Sequence, residues 1–210
     1  MKREKILVIN LADNPEMTQR IDAALAPFRA QAGIEIVCRT ARGGPRKVAS
    51  SADVDAAAVA VRACVSDESA DVVIIACYAD PGVEACREAL RAPVLGVGRC
   101  GALAALARAD NFGVVAMSEA AIPRHLGALR QSGCDRHCVA ERAIAPGDDA
   151  FARLKAAGEA LRDIDGARAV VIGCAEYGGL RARLEQALNI PVIDPVGAAI
   201  GMAMAMLGGS

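Results

Sequence analysis

One internal repeat constrains this chain more than anything else in it. The run Asp71-Val-Val-Ile-Ile-Ala-Cys77 and the run Ala169-Val-Val-Ile-Gly-Cys174 are both apolar, β-branched, and end on a cysteine. In each copy an acidic residue follows (Asp80, Glu176), then a glycine at +5 (Gly82, Gly179) and an aliphatic residue at +6 (Val83, Leu180). A helix-like segment comes next (Glu84 to Leu90, Arg181 to Leu188), and each copy closes on a Pro-Val strand, Pro93-Val94-Leu95 or Pro191-Val192-Ile193. Cysteine and proline are 16 residues apart in one copy and 17 in the other.

An apolar run bounded by turn residues and followed by a helix reads as a parallel strand buried on both faces. Each cysteine then stands at the carboxyl end of a strand, where open α/β sheets take their ligands. It also precedes a helix N-terminus, whose partial positive charge favours a thiolate. Two half-copies each carrying such a thiol suggest two sulfurs facing one pocket in a cleft between lobes, further apart than a disulfide allows.

The remaining segments fit the same alternation. Lys5 to Leu11 reads as the first strand, with Ala12 to Glu16 as its loop. Met17, Ile21, Ala24, Leu25 and Phe28 recur at helical spacing, and Pro27 argues against an undisturbed helix there. Ile34 to Val37 reads as a second strand, and Asp53 as the N-cap of a helix carrying Val54, Ala57, Val61 and Cys64. Gly98 to Gly101 reads as the crossover between halves and Ala102 to Ala109 as a helix. Phe112 to Met117, Cys138 to Ile144, Arg168 to Gly173 and Pro191 to Ile193 give the second set of strands. Pro123 opens one helix, Phe151 to Arg162 is another, and Pro195 to Leu207 is an Ala/Met-rich last one. Eight strands alternating with helices predict an α/β fold of two pseudo-twofold lobes, each a four-stranded parallel sheet flanked by helices. The first lobe is expected to take residues 1–97 plus 195–210, and the second 98–194.

Composition narrows the partners. A net charge of −1 gives no electrostatic case for nucleic acid or an anionic membrane. Neither Ile6 to Asn10 nor Val196 to Leu207 is long enough to span a bilayer, and Met1-Lys-Arg-Glu-Lys is not a signal, so a cytoplasmic location is expected. Eight cysteines in such a chain read as thiols rather than disulfides. Cys134 and Cys138 lack a second ligand pair, and they read as a turn and strand start rather than a metal site. The expected partners are a small-molecule substrate and further copies of the same chain in a homo-oligomer.

The pieces Ala76-Cys77-Tyr-Ala-Asp80-Pro81-Gly82, Ile172-Gly173-Cys174-Ala175 and Pro191-Val-Ile-Asp194-Pro195-Val196, with Ile9-Asn10 and Met17-Thr18, resemble the aspartate/glutamate/hydantoin racemase superfamily, most closely its hydantoin racemase group. The resemblance spans essentially the whole chain. It implies cofactor-independent inversion at a carbon acid, with Cys77 and Cys174 as the two bases and no metal or pyridoxal. One group starts as thiolate and the other as thiol, and the roles exchange with direction; a thiol with an ordinary pKa of about 8.5 suits that task once tuned. Backbone N–H groups at Tyr78, Ala79, Ala175 and Glu176 are expected to meet the enolate oxygen. Asn10 and Ser118, at pseudo-equivalent strand ends, read as substrate contacts or loop caps. Asp80 and Glu176 read as turn or cap residues, with catalytic acid as the alternative.

The chain departs from the family pattern at Leu11-Ala12-Asp13-Asn14, Arg99-Cys100, Ala116-Met117-Ser118 and Glu176-Tyr177, all expected to line the pocket. Arg42 and Arg99 would suit a carboxylate if they face it. The substrate therefore stays open among hydantoins, allantoin-like ureides and amino-acid-like compounds. The competing readings are a maleate-type cis–trans isomerase, an arylmalonate-type decarboxylase, which would need only the second cysteine, and a non-catalytic small-molecule binding protein.

Overall fold

The structure is a computed structural model that describes residues 3–66 and 68–208, the side chains of residues 31 and 32 excepted. The first two residues of the expected N-terminal reading and the last two of the expected first lobe lie outside the described residues. Two sheets form. The first orders β2 (Glu35–Thr40), β1 (Lys5–Asn10), β3 (Val72–Ile75) and β4 (Val94–Gly96). The second orders β6 (Cys138–Ala143), β5 (Phe112–Ala116), β7 (Val170–Ile172) and β8 (Val192–Ile193). Every pairing is parallel. The expected architecture of two four-stranded parallel sheets flanked by helices is therefore the one observed.

Residues 1–97 and 199–210 form one compact unit and residues 98–198 the other. In the first, Leu7, Ile9, Val73 and Ile75 point to one face of the sheet. There they pack with Ala57, Ala60, Val61 and Val65 of α3 (Ser51–Ser66) and Val83 and Cys86 of α4 (Val83–Ala89). Their neighbours Ile6, Val8, Val72 and Ile74 are fully buried on the opposite face, as a strand period of two requires. In the second unit Val115, Val170 and Ile172 pack with Leu154, Ala157 and Leu161 of α7 (Ala150–Asp163) and Leu184 and Leu188 of α8 (Arg181–Leu188).

Local differences from the expected elements have local causes. The first helical segment is broken: α1 (Pro15–Ala24) stops at Leu25, and α2 (Ala26–Ala32) restarts with Pro27 in its first turn. A proline there forfeits no helical hydrogen bond. Asp53 is not the N-cap of α3. Its Oδ2 accepts from the backbone N–H groups of Ala49 and Ser50, while its own N–H donates to Ser50 Oγ. This is a reciprocal capping box with Ser50 as the cap. The expected crossover at Gly98 to Gly101 is helical, inside α5 (Val97–Leu106). Gly101 is there for close approach, since a Cβ on it would stand 2.9 Å from the Cβ of Pro195. Between α5 and α7 lies α6 (Ile122–Ser132), and α9 (Pro195–Leu207) ends the chain.

Candidate active site

A strand order of 2-1-3-4 has its switch point between the first and third strands, because the chain leaves the first strand in one direction and returns in the other. Ligands of open α/β sheets bind outside the carboxyl ends at that point. In the first unit the switch point lies between β1 and β3, which end on Asn10 and just before Cys77. In the second it lies between β5 and β7, which run out into Ser118 and Cys174. Each unit thus brings one expected thiol and one expected polar residue to the crevice its own topology creates.

Cys77 follows a strand extended one residue by the bond from Ala76 N–H to the Ile9 carbonyl at 2.9 Å. The chain then turns: Asp80 N–H donates back to the Cys77 carbonyl at 2.9 Å, and Asp80 itself has a left-handed φ of 49°. Tyr78, in this turn, is buried. The helix after it, α4, opens only at Val83 with Gly82 as its cap. A helix-terminal field falls off within about one turn, so at Cys77 the turn amides stand where the sequence suggested a helix end.

The second copy differs. Cys174 is itself the N-cap of a 3-10 turn spanning Ala175–Leu180, and α8 follows. Its Sγ points at Glu176 Oε1, 3.9 Å away. The residue before it, Gly173, donates its N–H to the Val115 carbonyl at 2.9 Å, and a Cβ on Gly173 would come within 2.7 Å of that same oxygen. Only glycine lets β7 end this close to β5. Ala175, the next residue, is buried. Both thiols are half-buried. The backbone N–H groups of Ala79 and Ala175 enter none of the turn bonds of the described residues, which suits them to an incoming oxygen.

The other cysteines differ in kind. Burial pushes the Cys38 thiol up to about 12, with the Asp22 carboxylate adding to the effect. Burial does the same at Cys138, also to about 12, with Glu141 adding. Burial raises Cys86 as well. Such thiols stay protonated and inert at neutral pH. Cys134 is buried, its Sγ turned to the Ser132 carbonyl. Among the described residues no group of three or more His, Cys, Asp or Glu could hold a metal ion.

Asn10 is buried, and its amide is occupied by its own loop. Nδ2 donates to the carbonyls of Ala12 and Asn14 and to Thr18 Oγ1, while Oδ1 accepts from Ala12 N–H. Thr18 Oγ1 in turn meets Thr40 Oγ1 at 2.6 Å, so the ends of β1 and β2 are tied together. Asp13 accepts from Gly43 N–H and from Arg42, whose side chain is otherwise well exposed. Ser118 opens the 3-10 turn Glu119–Ala121 without a side-chain cap bond. A separate concavity of about 420 Å³ beside β6, lined by Glu119, Glu141, Arg142, Arg153 and Asp165 among others, includes neither motif cysteine.

Two arrangements were not read from the sequence. His125 of α6 and Glu141 of β6 form a buried pair, Nδ1 to Oε2 at 2.9 Å, and the His125 ring lies against Gly173. Glu141 Oε1 is buried with no hydrogen-bond partner, and burial raises the Glu141 carboxyl, opposed by His125. Nothing in the local sequence signals this pair, which joins a helix to an edge strand. The second is Asp194, whose carboxylate accepts from the Val196 and Gly197 N–H groups and caps α9. An Asp-Pro step at a helix start is the signature that would have found it.

The fold and these strand ends define a class: a two-unit α/β protein presenting one half-buried thiol at the switch point of each sheet. The family model for Asp/Glu/hydantoin racemases matches residues 6–203, and the chain belongs to that family; by class it is a racemase, an isomerase. A hydantoin racemase of Rhizobium meliloti is 36% identical over 67% of this chain, a match spanning 62% of that relative's length. A hydantoin racemase of Paenarthrobacter aurescens is 30% identical over 97% of this chain and 91% of its own. Among solved structures, an allantoin racemase from Klebsiella pneumoniae superposes with a TM-score of 0.91 at 28% identity, covering 98% of this chain and 88% of that one. The maleate isomerase of Pseudomonas putida S16, 17% identical with a TM-score of 0.71 over 99% of this chain and 94% of that one, shares the fold alone.

Proposed function

We propose that this protein racemises a small cyclic or ureide carbon acid, of the hydantoin or allantoin type, by a two-base mechanism without metal or organic cofactor, Cys77 and Cys174 each serving one face of the stereogenic carbon. The observation that carries the reading is the duplication: both sheets place a half-buried thiol at the same switch point, while Cys38 and Cys138 are held protonated.

In the forward direction one cysteine, as thiolate, takes the proton from the carbon. The electron pair moves onto the adjacent carbonyl as an enolate, and the opposite thiol delivers its own proton to the other face. The thiolate and thiol have then exchanged places, and solvent resets them. The N–H groups of Ala79 and Ala175, with those of Tyr78 and Glu176, stabilise the enolate oxygen. The Glu176 carboxylate, beside the Cys174 sulfur, carries protons between that thiol and water. Asn10 shapes the crevice by fixing the β1 loop, and Ser118 supplies a hydroxyl to the substrate.

Maleate-type isomerisation and arylmalonate-type decarboxylation are supported only by fold likeness at low identity. A pure binding role leaves the matched thiols without a task. The same proposal includes a cytoplasmic location and assembly of identical copies. Among the described residues no helix is long and apolar enough to cross a membrane. In support of assembly, α9 carries no charged residue and leaves Met206 48% exposed.

The test is polarimetry of pure enantiomers of 5-substituted hydantoins and of allantoin in deuterated water, with chelator present and no cofactor added. The expected result is loss of rotation with one deuteron incorporated per inversion. Turnover of maleate or an arylmalonate instead, with the hydantoins and allantoin untouched, would overturn the reading.

A further inference from the structure

The two halves of the repeat solve one packing problem in opposite ways. Aligned on their prolines, Gly96 and Asp194 hold the same place, three residues after Pro93 and Pro191 and immediately before α5 and α9. In the second unit the carboxylate belongs to that place: Asp194 caps α9 through the Val196 and Gly197 N–H groups. The glycine belongs to the thiol loop. A Cβ on Gly178, four residues after Cys174, would stand 2.6 to 2.8 Å from the Asp194 carboxylate. In the first unit the assignment is reversed. The glycine is Gly96, and the carboxylate comes from the thiol loop as Asp80, three residues after Cys77. A Cβ on Gly96 would collide with all three carboxyl atoms of Asp80.

Either way, one carboxylate lies flat on one glycine between a thiol loop and the start of the helix that follows the last strand. That exchange of sides preserves the contact while the residues change. It also accounts for two costs the chain carries. Asp80 adopts a left-handed φ of 49°, a region unfavourable for most non-glycine residues. Asp194 is buried enough that its carboxyl is raised, burial outweighing its two backbone donors and Arg181.

We propose that Asp80 and Asp194 are the positioning residues of the two thiols: each carboxylate clamps its own thiol loop to the end of its own sheet, and so fixes the sulfur over the crevice. The inference rests on the racemase reading for its consequence in catalysis, but the clamp itself does not need it. Each clamp lies within one unit, so each should act on one thiol alone.

The test uses the full chain and six variants: Asp80→Ala, Asp80→Asn, Gly96→Ala, Asp194→Ala, Asp194→Asn and Gly178→Ala. The first readout is the rate at which iodoacetamide labels Cys77 and Cys174, resolved by peptide mapping, and it needs no substrate. Asp80→Ala and Gly96→Ala should change the Cys77 rate by about threefold or more and leave Cys174 within about twofold, since thiol reactivity follows its immediate environment. Asp194→Ala and Gly178→Ala should do the reverse. Asp80→Asn keeps the shape of the side chain and should restore the wild-type Cys77 rate, whereas Asp194→Asn loses one of the two oxygens that accept from the Val196 and Gly197 N–H groups and should leave the Cys174 rate between those of the alanine variant and wild type. The second readout is exchange of the substrate's α-proton with deuterated water. Each clamp variant should slow exchange from one enantiomer by about tenfold or more, because a misplacement of about 1 Å costs that and beyond, and the two clamps should affect opposite enantiomers. Equal changes at both thiols mean general loosening and overturn the proposal, as does no change at either thiol in the four alanine variants. If wild-type protein exchanges no hydantoin or ureide at all, the racemase reading falls while the labelling result still decides the clamp.

Discussion

Replacing Gly173 by alanine perturbs the second thiol from directly beneath. The new Cβ would stand 2.7 Å from the Val115 carbonyl oxygen, 3.1 Å from Val114 Cγ1 and 3.4 Å from His125 Cε1. The nearest atom is backbone, and it accepts the bond from Gly173 N–H that holds β7 to β5. It cannot rotate away as a side-chain end would. Real Cβ contacts do not fall below 3.0 Å, so β7 must move off β5 by at least 0.3 Å, and further to reach ordinary contact. Overpacking of this kind costs about 1–3 kcal/mol, and a chain of this size loses about 2–4 °C of melting temperature per kcal/mol. The displacement passes to Cys174, the next residue, so racemisation should fall by about tenfold to a hundredfold in protein that is still folded. Gly201→Ala is the control. Nothing lies within 4 Å of its Cβ position in α9, and it should gain about 0.4–1 kcal/mol with activity intact. Urea unfolding and polarimetric rates on both variants decide the matter. A Gly173→Ala protein as stable and as active as wild type would refute the close approach of β7 to β5 and the placement of Cys174 that depends on it.

Further outcomes follow from the charges and the core. At pH 7.5, limiting iodoacetamide should label Cys77 or Cys174 while Cys38 and Cys138, both pushed up to about 12 by burial, stay unmodified; mapping that finds the reverse removes the reactive pair. Glu141 is raised by burial, so its contribution to stability is full below its unfolded value near 4.5 and is lost as pH rises through its folded value; Glu141→Gln should lack that slope in urea midpoints measured across the acid range. Glu68 is lowered, chiefly by the Lys5 hydrogen bond and also by Arg39, so its contribution is present above about 4.5 and is lost as pH falls through its folded value; Glu68→Gln should flatten the low-pH limb of the same titration. Leu161→Ala in the α7 core, where the side chain is fully buried, should cost about 2–5 kcal/mol and be read as a shift of the urea midpoint.

Much of this architecture was written in the chain because period and punctuation agree. The buried parallel strands announce themselves as unbroken Val/Ile runs, and the repeat fixes which of them are equivalent. Pro27 announced its helix break. What stayed hidden was contact between elements distant in sequence. Gly98 and Gly101 carry the composition of a bend, yet both sit in a helix, where Gly101 leaves the space that Pro195 fills. Asn10 read equally as a substrate contact or a loop cap, and only coordinates show its amide bonded to its own loop. Asp53 was legible as a cap residue but not as the third-position partner of Ser50, since a capping box and a simple cap share most of their residues. The His125–Glu141 pair and the exchange of Asp80 and Asp194 across the repeat needed coordinates, because each joins residues that no period relates. The thiols' position was legible. The difference between them was not: Cys174 caps a 3-10 turn and Cys77 precedes a looser one.

The central claim is that each thiol handles one face of the substrate carbon, and deuterium incorporation into separate enantiomers tests it most directly. Cys77→Ser and Cys174→Ser are each offered the pure enantiomers of a racemised hydantoin or ureide in deuterated water, and α-deuterium is followed by NMR. A hydroxyl is too weak an acid to replace a thiol here, so inversion should fall by orders of magnitude in both variants. The surviving thiolate should still exchange the α-proton on its own face, so that one variant labels one enantiomer without inverting it and the other variant labels its mirror image. Racemisation at the wild-type rate in either variant would contradict the account.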